Sequence, residues 1–135
     1  MTSKERVLAT FERRPVDKIP VHHIGFSGYA ASLILQREAY VGGAIQQWRE
    51  MKALWEGADA HQEFLERSRE DAAALGLAVG NDILRLSYWR WSPRPKPSRK
   101  IDDYTFAFGD VEKDGYSVRF DPQQELLIET AGSLN

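Results

Sequence analysis

The hydrophobic period of this chain changes once, near Gly80-Asn81-Asp82, and that change limits the folds open to it. Ahead of it, apolar residues recur with the helical period of about 3.6. Behind it they sit in short runs rich in β-branched and aromatic residues, broken by turn residues. The pattern predicts one domain, mainly helical over 1–78 and carrying a strand and a β-hairpin over 79–135.

The boundaries follow from local chemistry. Thr2 and Glu5 have capping-box spacing ahead of Val7, Leu8 and Phe11, which predicts a helix from Ser3 to Arg13, stopped by Pro15. Ile19–Phe26 reads as a short strand or extended segment, leading into a loop at Gly25–Gly28. A helix is expected over Tyr29–Arg37. Another, over Gly43–Trp55, ends at Gly57; its Trp48 and Trp55 lie on one face. A third runs over Ala58–Leu75 and closes at Gly76, with His61 on its polar, solvent-facing side. A strand over Ile83–Trp89 follows, then a proline-rich loop over 92–100. Tyr104–Phe108 and Tyr116–Phe120 form a hairpin with Asp114-Gly115 in its turn, and Leu126–Glu129 supplies a further strand.

Composition narrows the function classes. There are no cysteines, so disulfides, thiolate metal sites and a cysteine nucleophile are excluded. A net charge of −2 gives no global attraction to nucleic acid or an anionic membrane. No apolar run is long enough for a membrane span, and the charged N-terminus does not read as a secretion leader, so a cytoplasmic protein is expected.

Two stretches carry a family likeness. The first is Lys4-Glu5-Arg6-Val7-Leu8 with Arg14-Pro15-Val16-Asp17-Lys18-Ile19-Pro20-Val21. The second runs from Leu75 to Trp89, then through Lys100–Phe106 and Phe108-Gly109-Asp110 to Arg119-Phe120-Asp121-Pro122. Together they resemble the N-terminal part of the uroporphyrinogen-decarboxylase-like superfamily, which includes corrinoid-dependent methyltransferases. The resemblance implies an α/β fold, α+β as a fragment: the helical extension, first strand or strands and a β-hairpin of a TIM-like barrel. Such barrels need roughly 250 residues and gather their active sites from several strand ends. This stretch alone is therefore expected to be inactive, and to form a homo-oligomer or to require the missing C-terminal barrel portion.

The resemblance also nominates residues. Decarboxylases of the family bind substrate carboxylates with two arginines around the loop after the first strand. Here that loop is Gly25-Phe26-Ser27-Gly28-Tyr29, and Gly25 and Tyr29 stand where arginines are expected. That departure favours a methyl-transfer or other parent over porphyrinogen decarboxylation. Ser27, Gly28 and Tyr29 remain candidate substrate contacts. Asn81-Asp82-Ile83-Leu84 resembles the string that carries the family's pyrrole-binding aspartate, which makes Asp82 a catalytic candidate; a turn or capping role is the alternative.

His22 and His23 are candidate acids, bases or ligand contacts, although adjacent strand residues point to opposite faces. Arg85 and Arg90 open a basic stretch, with Arg94, Lys96, Arg99 and Lys100, that could hold a carboxylate or be a solvated loop. The family's zinc ligands come from late in its chain, so no metal and no cofactor are expected here, although a parent could use a corrinoid. The expected ligand is a tetrapyrrole or small acid, with neither nucleic acid nor membrane as partner. The alternative is a stand-alone binding or oligomerisation module without catalysis.

Overall fold

The computed structural model describes residues 1–85, 94–110 and 112–131. Among them are four helices, α1 (Ser3–Phe11), α2 (Gly28–Leu35), α3 (Gly43–Glu56) and α4 (Ala58–Ala78), and four strands, β1 (Arg99–Lys100), β2 (Thr105–Phe108), β3 (Tyr116–Asp121) and β4 (Leu126–Ala131). The class is mixed α and β, with an open antiparallel sheet of order β1-β2-β3-β4.

The start of α1 obeys the expected chemistry, and the ends of α1 and α4 refine it. Glu5 N–H donates to Thr2 Oγ1 at 3.2 Å while Thr2 N–H donates to Glu5 Oε2 at 2.7 Å. α1 ends at Phe11 rather than Arg13, because Arg13 turns left-handed at φ 56°. The N–H groups of Arg13 and Arg14 then donate to the Thr10 and Ala9 carbonyls and close the last turn. α4 does not stop at Gly76. It continues to Ala78 and ends in the same motif, with Gly80 at φ 72° and Asn81 N–H donating to the Gly76 carbonyl. Gly76 serves packing instead: a Cβ there would lie 2.5 Å from Leu84 Cδ2.

The hairpin forms as the alternation predicts, with Phe106 opposite Val118 and Phe108 opposite Tyr116. Cross-strand partners share a face. That face packs on α3, where Met51 is fully buried with Phe106, Phe108 and Val118. Trp48 stacks on Phe120 at 5.5 Å and donates its indole N–H to the Asp103 carbonyl at 2.9 Å. Trp55, expected on the same helix face, remains 38% exposed. The last strand runs past Glu129 to Ala131, and two residues of the expected loop, Arg99 and Lys100, pair with β2. A second core joins Ala31, Ala39 and Leu75, with Phe26 and Val79 against it.

Neither strand expected for the parallel part forms among the described residues. Residues 19–27 are irregular, as are 82–85; residues 86–89 lie outside the described residues. The physical reason is that Pro20 has no N–H, and Val21 N–H donates to the Asp82 side chain rather than to a backbone carbonyl. The two segments still run side by side. Asp82 N–H donates to the Val21 carbonyl at 2.8 Å. His22 Nδ1 lies 2.9 Å from the Ile83 carbonyl, and Arg85 Nη2 donates to the Ile24 carbonyl at 2.9 Å. The separation is 61 residues in the Val21–Asp82, His22–Ile83 and Ile24–Arg85 pairs alike. A constant difference, rather than a constant sum, means that the segments point the same way.

Met51→Ala is expected to cost about 2–5 kcal/mol, since it leaves a cavity between α3 and the sheet. Leu8→Ala, at a residue 47% exposed, should stay within about 0.5 kcal/mol. Urea unfolding of the two variants checks both values.

Candidate functional site

Asp82 fastens the parallel segments together. Its side chain is 2% exposed. One carboxylate oxygen accepts from Ser3 Oγ at 2.7 Å and from the Arg6 guanidinium; the other accepts Val21 N–H at 2.9 Å. Arg6 also grips Asp17 with two nitrogens, Nε to Oδ1 at 2.7 Å and Nη2 to Oδ2 at 2.9 Å. The Ser3 hydroxyl, the Val21 N–H and Arg6 hold the Asp82 carboxyl below the usual aspartate range, against the opposing effect of burial. Hydrogen bonds from Arg6 hold Asp17 well below that range, and the Arg6 guanidinium is correspondingly raised. Both charged stretches of the N-terminal motif thus converge on the Asn81-Asp82 string. Asp82 takes an anchoring position and does not line the cavity described next.

That cavity, of about 130 Å³, lies between the parallel segments and helices α3 and α4. His22, His23, Gln46, Asn81 and Arg85 give it a polar side, and Val41, Ala72 and Leu75 an apolar one. His22 and His23 both reach it although they are neighbours, because residues 19–27 lack regular strand alternation.

The ring hydrogen bonds assign tautomers. A carbonyl only accepts, so His22 Nδ1, facing the Ile83 carbonyl, carries its proton. Asn81 Oδ1 accepts His23 N–H at 3.1 Å, which identifies it as the oxygen; His23 Nδ1, 2.6 Å away, therefore donates as well. In the neutral rings each Nε2 keeps a lone pair.

Gln46 is only 3% exposed and was not singled out by the sequence. Its Oε1 accepts Gly42 N–H at 2.9 Å. The only signal for it was indirect: the Gly42-Gly43 start of α3 carries no capping side chain, so an orphan N–H needed a partner from within the helix.

The remaining candidates fall elsewhere. Ser27 Oγ caps α2 by accepting Ala30 N–H at 3.1 Å, and Gly28 is needed because a Cβ would stand 2.2 Å from Ile45 Cγ2. Tyr29 N–H donates to Glu125 Oε1 at 3.1 Å, while its side chain is 70% exposed. None of these three lines the cavity. The basic stretch does not act as one surface: Arg85 faces the cavity, Arg94 donates to Gln47 Oε1 at 2.8 Å and Lys100 pairs with Asp103 at 2.8 Å. Arg90 lies outside the described residues. His61, expected in solvent, is instead partly buried, with Nε2 3.1 Å from Glu50 Oε1 and its ring stacked on Phe64. No group of three or more metal-ligating side chains occurs among the described residues. No helix there is long and apolar enough to cross a membrane.

No family model, curated protein or solved structure matches the chain.

Two substitutions test this geometry. A carboxyl whose pKa is depressed by folding contributes stability above its ordinary pKa, and that contribution is lost as pH falls through the folded value. Asp82→Asn should therefore destabilise at pH 6, and its gap from the native chain should narrow below about pH 4, read by urea unfolding at each pH. Gly42 sits at φ 101°, and a Cβ there would meet the Phe26 carbonyl at 2.6 Å. Gly42→Ala should cost about 1–3 kcal/mol in the same assay.

Proposed function

We propose that the chain is the N-terminal unit of a uroporphyrinogen-decarboxylase-like barrel protein, and that its cavity forms part of the ligand site. The observation that carries this reading is the parallel course of residues 21–24 and 82–85, joined through helices α2 to α4. Antiparallel neighbours need only a tight turn, whereas parallel ones need a long crossover, usually helical. Adjacent strands of an α/β barrel are related in that way. The two segments that carry the family likeness are also the two that Arg6 and Asp82 bind together.

The cavity's position supports the ligand reading. It is lined by residues 22–26, the carboxyl half of the first segment and the start of the loop into α2. Open and closed α/β sheets bind ligands beyond the carboxyl ends of their strands. The parent's substrate would be a tetrapyrrole, a corrinoid-linked methyl group or a related small acid, and the unit alone would be inactive.

The alternative, an interaction module that has lost catalysis, draws on the apolar residues left in solvent. Phe11, Ile19 and Ile24 are 79%, 81% and 79% exposed. Further barrel strands or a second copy of the chain would cover such a surface.

Titration with a porphyrin and with a cobalamin, followed by tryptophan fluorescence, separates the readings. Saturable quenching by either supports the ligand-binding unit. No quenching by either would overturn the tetrapyrrole and corrinoid readings, leaving a small acid or the interaction module.

A further inference from the structure

We infer that the cavity between the parallel segments and helices α3 and α4 is a seat for a short aliphatic carboxylate, or for one carboxylate arm of a larger molecule. The inference rests on the reading of this cavity as the ligand site and specifies what enters it.

Three features select the ligand. The first is an unspent donor. Gln46 is nearly all buried, and Gly42 N–H engages its oxygen, so its NH₂ group is the end left for the cavity. That NH₂ bonds no described protein group and is not sealed from the cavity, so a ligand acceptor can take it. The second is charge. Asn81, whose oxygen is occupied twice by His23, also presents its NH₂ there, and Arg85 supplies a guanidinium. No aspartate or glutamate is among the described lining residues. Donors and a cation without a compensating acid suit an anion, and planar amide and guanidinium groups suit a carboxylate. The third is shape. Val41, Ala72 and Leu75 form an apolar wall opposite, which would reward a short alkyl chain and leave a bare inorganic anion poorly matched.

Size sets the upper limit. A dry cavity of about 150 Å³ holds benzene, with its six non-hydrogen atoms. A volume of about 130 Å³ therefore admits a molecule such as butyrate and excludes a whole macrocycle. A tetrapyrrole could enter only by a side arm, with its ring outside the mouth. The Nε2 lone pairs of His22 and His23 would accept from a hydroxyl or amine on the same ligand.

The test is titration of the full 135-residue chain with butyrate, 1-butanol and butylamine, followed through the side-chain amide signals in nitrogen-15 NMR spectra. Butyrate should shift the Gln46 and Asn81 NH₂ signals saturably, with a Kd on the order of millimolar. Butanol and butylamine should bind at least about tenfold more weakly.

Gln46→Glu keeps an acceptor for Gly42 N–H and replaces the donor with a negative oxygen, so it should abolish butyrate binding. Arg85→Gln, at an exposed residue outside both hydrophobic cores, should fold normally and weaken binding about tenfold or more. Equal binding of butanol and butyrate would overturn the inference, as would butyrate binding that survives Arg85→Gln unchanged. Porphyrin quenching without butyrate binding would also overturn it, while leaving the proposed barrel unit standing. Butyrate binding without quenching by porphyrin or cobalamin would support the carboxylate seat and count against a tetrapyrrole or corrinoid as the parent's ligand.

Discussion

The carboxylate of Asp82 is the point at which distant parts of the chain become one structure. Taking a charge out of water is costly unless it is paired and hydrogen-bonded. Here the cost is met by a hydroxyl and a guanidinium from helix α1, those of Ser3 and Arg6, and by the main-chain N–H of Val21 in the segment after it. Because the group is buried, losing any one partner leaves charge or polarity uncompensated. The first helix, the segment after it and the segment after α4 are thereby held in one relative position. The cavity exists because that position is held.

This arrangement explains why parallel neighbours meet without forming a regular ladder. A sheet joins strands through repeated main-chain bonds. The pair formed by residues 21–24 and 82–85 instead uses side chains at most of its contacts. Proline at position 20 removes one donor, and asparagine and aspartate side chains take over as acceptors. Freed from strict alternation, His22 and His23 reach the same space. The irregularity is thus what brings two imidazoles to one cavity.

Much of the fold was legible in the sequence, for identifiable reasons. The capping box at Thr2, the helical period of α3 and the aromatic hairpin are local signals, and each produced the expected element. Helix ends were less legible. Gly76 looked like a stop but is a packing glycine, while Arg13 ends α1 in a left-handed conformation that arginine seldom signals. The candidate site was legible only in part. His22, His23 and Arg85 were chosen for their chemistry and do meet. Gln46 was legible only indirectly, because its role depends on the N–H of Gly42, four residues earlier at a helix start without a capping side chain. Ser27, Gly28 and Tyr29 were chosen by likeness to a loop, and local capping and close packing account for the first two.

Helix α3 stands between the two halves of the molecule. Near its start, Gln46 presents an amide to the cavity, and within two turns Trp48 and Met51 rest on the sheet. A rigid rod cannot shift at one end alone. A volume change in the aromatic layer that tilted α3 would reach Gln46 as a displaced hydrogen-bond donor, with no residue near the cavity altered. The hairpin core and the ligand seat would therefore drift together through sequence change, and a repacked sheet would tolerate only those layers that return the rod to the same angle.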